Sequence, residues 1–105
     1  MATVWIPNKG FHNYADAERF GQLAYLTYGS VNRFNTGGML RRFVEKMNNS
    51  SPEDWILMGG LQQLCVLATS VQVTKYGSVN LLIYDAKKGK YLPRELNFQT
   101  LREER

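Results

Sequence analysis

The stretch WILMGG, residues 55–60, decides the fold of this chain. It opens a run of 20 residues, 55–74, without a charged side chain, which is the length of a bilayer span. The run also contains two adjacent glycines and Gln62, Gln63 and Gln72, and a lipid-facing helix is destabilised by such groups. We therefore divide it at the glycines into a buried strand, residues 55–58, and a buried helix, residues 61–76.

Strands and helices alternate outward from this stretch. Two short apolar runs, residues 3–7 and 23–27, predict strands on either side of a brief helix over residues 14–20. A second helix is predicted where apolar residues recur at helical spacing, with basic residues on the opposite face: Met39, Leu40, Phe43, Val44 and Met47. Residues 51–54 have the form of a single helical turn. Beyond Gly77, residues 79–84 and 91–98 predict a hairpin whose second strand contains Pro93, as is typical of an edge strand.

The resulting order is β-α-β-α-β-α-β-β. Strands that alternate with helices predict a mostly parallel sheet with helices on its faces, and the hairpin adds an antiparallel pair at the C-terminal end. We expect one small Rossmann-like, three-layer α/β domain over residues 1–105, with a charged and frayed tail from about residue 100.

Composition narrows the functional classes. The chain has 105 residues, 13 Lys and Arg against 9 Asp and Glu, and a formal net charge of +4, which permits an anionic partner without requiring one. The lone Cys65 excludes a disulfide within the chain, and no Cys/His cluster can hold zinc. The first residues show no signal-peptide pattern, so we expect a cytoplasmic protein.

A ligand site is predicted at the carboxyl edge of the sheet, where open parallel sheets bind ligands. Three loops should meet there: residues 8–12, 27–35 and 59–62. Glycine pairs precede both long helices, at 37–38 and 59–60, and glycine permits close approach of a phosphate to the N–H groups of a first helical turn. Neither pair belongs to a known phosphate motif, and tight strand-to-helix turns would explain both pairs equally well.

The predicted ligand-binding residues fall into four groups. Backbone N–H groups would come from Thr36, Gly37, Gly38, Gly59 and Gly60; positive charge from Lys9 and Arg33; stacking from Phe11, Tyr28 or Phe34; and specificity from Asn8, Asn32, Asn35 and Gln62. His12 and Thr27 complete the site, within the same loops. The expected guest is a small nucleotide-like anion.

Catalytic chemistry has little support in the sequence. His12, the only histidine, lies in a predicted ligand loop, and Cys65 lies on the apolar stripe of a helix, where a thiol behaves as a small hydrophobe. The acidic residues have no metal-ligand spacing, and Asp54 is better explained as a structural residue at the entry to a strand. We therefore predict no catalytic residue, no metal and no cofactor.

Two basic clusters suggest a different class of partner. One lies on the second helix, with Arg41, Arg42 and Lys46, and the other on the hairpin, with Lys87, Lys88 and Lys90. With stacking surfaces such as Tyr84 and Tyr91 nearby, these cations could bind nucleic acid, or they are solvated groups that discourage aggregation at a sheet edge. The wide apolar stripe of the 61–76 helix further predicts burial on two sides, against the sheet and against a second subunit of a homo-oligomer.

Three segments carry a resemblance to a known group of proteins: VWIPNK at residues 4–9, LTYG at 26–29 and SPEDWIL at 51–57. Together with VNLLIYD at 79–85, they resemble small uncharacterised proteins encoded by tailed bacteriophages. This resemblance implies a setting, the cytoplasm of an infected bacterium, and no mechanism.

A shorter resemblance concerns the segment NTGG at residues 35–38. It is similar to the Thr-Gly-Gly turn of Rossmann-like sensor domains (CARF-type) that bind cyclic oligonucleotides in CRISPR-associated signalling. Those sensors commonly continue with a small polar residue and lysine, where this chain has Met39 and Leu40.

Three functional hypotheses follow. The first is a non-enzymatic binding protein for a small anionic nucleotide-like ligand, acting as a phage sponge against a host immune signal. The alternative is a phage accessory protein that binds nucleic acid or a host protein through its basic helix and hairpin. The third is a small hydrolase or nuclease that uses His12.

Overall fold

The computed structural model describes residues 2–103 and contains a five-stranded mixed sheet. Its strands are β1 (Thr3–Ile6), β2 (Gln22–Tyr25), β3 (Trp55–Met58), β4 (Ser78–Asp85) and β5 (Lys90–Asn97). The helices are a 3₁₀-helix (Ala15–Phe20), α1 (Thr36–Lys46), α2 (Gln62–Tyr76) and α3 (Phe98–Glu103). The expected α/β fold, mostly parallel with a C-terminal antiparallel pair, is confirmed.

Two local predictions differ from the structure. Residues 51–54 form a hydrogen-bonded turn rather than a helical turn, because the single bond from the Asp54 N–H to the Ser51 carbonyl (3.1 Å) is not continued. The tail from about residue 100, for which we predicted no helix, includes the end of α3; its fraying stays a prediction, and residues 104–105 lie outside the described residues.

The strands are ordered β2-β1-β3-β4-β5. From β1 the chain moves to one side to form β2, then returns past β1 to form β3 and continues in that direction, so the order reverses between β1 and β3. The crossover from β1 to β2 therefore runs opposite to the two later crossovers. If all crossovers have the same hand, the first connecting helix must lie on the opposite face of the sheet from α1 and α2.

The two faces of the sheet confirm this arrangement. On one face, helices α1 and α2 bury Phe43 and Leu64 against Trp5 and Ile56. On the other face, Ala17 of the 3₁₀-helix and Tyr14 just before it pack against strand residues: Val4, Ile6, Leu57 and Leu82. The period-two alternation of the strands thus supplies a core on each side.

Asp54 connects the beginnings of two neighbouring strands. Its buried carboxylate accepts hydrogen bonds from the Thr3 N–H (2.9 Å), the Trp5 indole N–H (2.9 Å), and both the N–H and the hydroxyl of Ser51 (3.0 Å each). The structural interpretation of Asp54 is therefore confirmed.

The 3₁₀-helix also holds the outer edge of the hairpin. The Asp16 carboxylate accepts a hydrogen bond from the Tyr91 N–H (2.7 Å), and the Arg19 guanidinium donates to the Tyr91 carbonyl and pairs with Asp16 (3.3 Å). Because β5 is an edge strand, its outward backbone groups would otherwise face water. The attachment brings the hairpin toward the loop that follows β1.

Substituting Asp16 by asparagine should weaken this attachment in a pH-dependent way. The Tyr91 N–H, with help from Arg19, holds the pKa of the Asp16 carboxyl below its ordinary value of 3.8. A lowered pKa in the folded state stabilises the protein above the pKa of the unfolded chain, and this stabilisation is lost as pH falls through the folded value. Asp16→Asn should therefore unfold at a lower urea concentration than the natural chain at pH 7, and the difference should shrink as pH falls below about 3.8 and disappear below the lower pKa of the folded state.

Urea unfolding across this pH range tests the prediction. Glu18→Gln is the matched control, because it neutralises an exposed carboxylate on the same helix. A difference between Asp16→Asn and the natural chain that stays constant with pH would contradict the assignment.

Within residues 2–103, no helix is both long and apolar enough to span a bilayer. The glycines at 59–60 divide the uncharged run as expected, into β3 and α2.

Candidate functional site

A cavity of about 400 Å³ opens at the carboxyl ends of β1 and β3, where the strand order reverses. Its walls come from the loop after β1, the end of β3 and the hairpin: His12, Asn13, Tyr14, Leu57, Met58, Gly59, Gly60, Tyr84 and Tyr91. Open α/β sheets bind their ligands at such a reversal, so the cavity occupies the position that topology favours.

The first wall is organised around Tyr14. Its ring is buried, its hydroxyl donates to the Asn8 carbonyl (3.3 Å), and the Gly10 N–H donates to the same hydroxyl (3.3 Å). Asn13 then accepts a hydrogen bond from the Ala15 N–H (2.9 Å) and begins the 3₁₀-helix. These bonds fix the loop that carries His12 to the rim of the cavity.

The second wall consists of two tyrosines on the hairpin. Tyr84 and Tyr91 are opposite each other in the antiparallel register, and their ring centroids lie 5.1 Å apart at 61°. Burial raises the pKa of the Tyr91 phenol, so its hydroxyl stays a neutral hydrogen-bond donor near pH 7. Tyr84 is half exposed, with a relative accessibility of 51%.

The floor is formed by the link between β3 and α2. Gly60 has φ of +80°, a conformation that side chains rarely adopt, so the tight turn into α2 requires glycine here. Leu61 at the N-cap of α2 makes no side-chain cap, which leaves N–H groups of the first turn without an internal partner. The Gly59 carbonyl accepts a weak bond from the Cys65 thiol (3.3 Å), whose pKa is raised by burial.

Of the residues predicted to bind a ligand, the cavity brings together His12, Gly59 and Gly60. Thr27 is buried and donates to the Pro7 carbonyl (2.7 Å), so it joins two loops from within. Lys9 places its amino group 5.1 Å from the centre of the Tyr25 ring.

Asn8 and Gln62 are not among the residues that form the walls of the cavity, although both lie on segments next to it. The Asn8 amide donates to the Gly29 carbonyl (3.0 Å), while its Oδ1 is buried without a partner among the described residues. Gln62 is exposed in the first turn of α2.

The predicted residues between 32 and 38 form a separate group at the start of α1. The Asn35 side chain accepts from the Gly38 N–H (3.3 Å), and a Cβ on Gly38 would lie 2.7 Å from the Asn35 amide nitrogen. Gly38 therefore serves the helix cap, whereas Gly37 and Thr36 are exposed. Asn32 accepts from the Phe34 N–H (3.1 Å), and the Arg33 guanidinium lies 5.2 Å from the Phe34 ring.

Three predicted stacking residues project into solvent from the loops after β1 and β2. Their relative accessibilities are 110% for Phe11, 62% for Tyr28 and 79% for Phe34. These three side chains lie outside the residues that line the cavity.

The sequence analysis missed most of the cavity wall: Asn13, Tyr14, Leu57, Met58, Tyr84 and Tyr91. It associated the two hairpin tyrosines only with nucleic acid. A signal for their pairing is present, since the short turn between residues 85 and 90 fixes Tyr84 opposite Tyr91.

Comparison with known proteins gives the chain its family. The family model described as Phage Pam3 gp32-like protein matches residues 3–98. This chain belongs to the Phage Pam3 gp32-like protein family. Neither a curated protein nor a solved structure matches it.

The expected membership of a phage protein family is thereby confirmed for this gp32-like protein, whereas the cytoplasmic location stays a prediction. The similarity of residues 35–38 to cyclic-oligonucleotide sensors stays a prediction. Every residue of the cavity wall falls within the matched range of the gp32-like family.

Proposed function

We propose that this phage protein binds a small nucleotide-like ligand in the cavity between the loop after β1, the end of β3 and the hairpin. The observation that carries the proposal is the pairing of aromatic walls, Tyr84, Tyr91 and His12, with the glycine backbone at 59–60. Flat rings favour a planar heterocycle, and a glycine turn permits close approach of a second polar group.

The size of the cavity supports a ligand of this class. A volume of about 400 Å³ lies within the range of small-molecule sites and suits one nucleotide. The Rossmann-like arrangement expected from the sequence would place a phosphate near the first turn of α2, where N–H groups lack a side-chain cap. His12 at the rim adds an imidazole ring whose two nitrogens can donate and accept hydrogen bonds.

The exposed aromatic residues around the cavity support a ligand that extends beyond one nucleotide. Phe11 lies on the loop after β1 and Tyr28 on the loop after β2. The Gly29 N–H donates to the Lys9 carbonyl (3.3 Å) and so connects the two loops. The amino group of Lys46 lies 5.8 Å from the Tyr28 ring. Bases stack on such rings while cations meet phosphates, so a cyclic or linear oligonucleotide would have contacts outside the cavity.

In this proposal the protein acts as a sponge in the cytoplasm of the infected bacterium. It would hold a signalling nucleotide of the host defence and lower its free concentration, which requires affinity and no turnover. A phage gains from such binding without any catalytic group in the site.

Thermal-shift measurements against a panel of linear and cyclic nucleotides test the proposal. A ligand that binds the folded state should raise the unfolding midpoint, and calorimetry then gives its dissociation constant. Tyr84→Ala should weaken the binding of that ligand by about tenfold or more, because stacking of a base on an aromatic ring contributes roughly 1–3 kcal/mol.

Ile83→Ala is the matched control. It removes a neighbouring side chain of similar exposure, 44% against 51%, that points to the opposite face of the same strand. The proposal fails if no nucleotide shifts the midpoint or if the two variants weaken binding equally. Binding only to polynucleotides, with steep salt dependence and loss on removal of Lys87, Lys88 and Lys90, would favour the basic-cluster alternative instead.

A further inference from the structure

The outer surface of helices α1 and α2 carries an apolar groove, remote from the cavity walls. It has a volume of about 470 Å³ and is bordered by residues of both helices: Leu40 and Val44 on α1 with Asn48 just after it, and Ser70, Val71, Thr74 and Lys75 on α2. Three apolar side chains on this surface are strongly exposed, with relative accessibilities of 40% for Leu40, 52% for Val44 and 60% for Val66. We call this surface the α1/α2 face.

The α2 part of this face offers water few polar groups. From Gln62 to Thr74 the helix carries no charged residue, although much of that side is exposed. The hydroxyls of Thr69 and Ser70 donate back to the Val66 carbonyl, at 2.9 and 2.7 Å, so their hydrogens are engaged within the helix. A solvated helix normally has charged residues on its outer side, and their absence here favours a protein partner.

The one cation at the end of the groove is engaged within the chain. The Lys75 amino group donates to the Met47 carbonyl (2.9 Å) and to the Ser50 hydroxyl (2.8 Å). It therefore anchors the end of α1 to α2. An acidic ligand or nucleic acid would find little positive charge in the groove itself.

The charged rim of the face indicates which protein fits it. Arg41 and Glu45 lie one helical turn apart on α1, each next to an apolar ridge residue, Leu40 or Val44. Both are exposed, and no ion pair involves either of them among the side chains that the structure describes, those of residues 2–101. When two α1 helices meet antiparallel across a two-fold axis, Arg41 of each copy faces Glu45 of the other. The face is thus complementary to itself in charge as well as in apolarity.

We infer that the α1/α2 face is the interface of a two-fold symmetric dimer of this chain. The two helices, about 16 and 22 Å long and about 10 Å apart, offer a face of modest size for a stable interface. We accordingly expect a dissociation constant in the micromolar range. The cavities lie on the opposite side of each sheet and stay open in this arrangement.

Sedimentation equilibrium over concentrations up to roughly 100 µM tests the inference. The natural chain should reach twice its protomer mass of 12.1 kDa, and Val44→Glu should stay at the protomer mass because a charge would be buried in the interface. Val44 is half exposed, so the variant should fold, which circular dichroism checks. Ile83→Glu is the control, since it places the same charge on an equally exposed apolar residue elsewhere, and it should dimerise as the natural chain does.

A charge-reversal cycle tests the two-fold arrangement. Arg41→Glu and Glu45→Arg should each weaken the dimer by roughly fivefold to tenfold, and the double variant should recover most of the loss. A chain that stays monomeric throughout, or a dimer insensitive to Val44→Glu, would overturn the inferred interface. A double variant whose dimer affinity is no higher than that of the single variants would overturn the two-fold pairing.

Discussion

Replacing Asp54 by alanine should lower the free energy of unfolding by about 3–5 kcal/mol, a large fraction of what a domain of this size has. The carboxylate is 3% exposed and accepts four hydrogen bonds, two of them from β1. Alanine would leave the Trp5 indole N–H buried without a partner, which costs more than the bond itself contributes. The beginnings of β1 and β3 would then lose their common anchor.

Urea unfolding followed by tryptophan fluorescence measures this effect, since Trp5 is one of the groups involved. Glu53→Ala is the matched control, because it removes the adjacent but exposed carboxylate and should change stability by less than about 0.5 kcal/mol. Asp54→Asn should fall between the two, as an amide oxygen accepts but its nitrogen does not. A loss below about 1 kcal/mol in Asp54→Ala would show that the buried carboxylate is not the anchor.

Replacing Gly21 by alanine should destabilise the protein by about 2–4 kcal/mol. A Cβ at this position would lie 2.2 Å from the Ala2 carbonyl oxygen and 2.8 Å from the carbon. The clashing atoms belong to the backbone and not to a flexible side chain, so β1 and β2 must move apart at this point. The Gln22 N–H donates to the same Ala2 carbonyl (3.1 Å), and this hydrogen bond would be weakened. The loss of the first pairing between these strands adds to the strain.

Gly37→Ala is the control for this substitution. Gly37 lies in the first turn of α1, and an added Cβ would meet no atom within 4 Å. Alanine should be neutral or stabilise α1 by up to about 1 kcal/mol, because glycine is a poor helix former. Equal unfolding midpoints for the two glycine variants would contradict the steric argument at Gly21.

The sequence was sufficient for most elements of the fold, though not for α3, and insufficient for their arrangement. Helical spacing of Phe43 and Met47 identifies α1, and the glycines at 59–60 separate β3 from α2, because both signals depend on neighbouring residues only. The structure places β2 at the edge of the sheet beside β1, and this position depends on the direction of the crossover between the two strands. Local periodicity does not contain that information.

The candidate site was predictable on one side only. The loops that carry His12 and Gly60 follow directly from the rule on strand ends. The tyrosine wall depends on two hydrogen bonds between residues far apart in the chain. The Tyr91 N–H donates to Asp16, 75 positions away, and Arg19 donates to the Tyr91 carbonyl, 72 positions away. The two glycine pairs, identical as sequence, also serve different purposes, since Gly38 leaves room for a helix cap and Gly60 adopts a positive φ.

The attachment of the 3₁₀-helix to Tyr91 makes completion of the cavity depend on the order in which the chain is made. On the ribosome, the loop with His12 emerges long before the hairpin, so a nascent chain has half of a cavity until β5 has docked. Closing contacts between such distant residues is among the slower events of folding. A ligand that occupies the finished cavity would oppose detachment of β5 from the 3₁₀-helix. Hydrogen exchange at the Tyr91 amide would measure how often this detachment occurs.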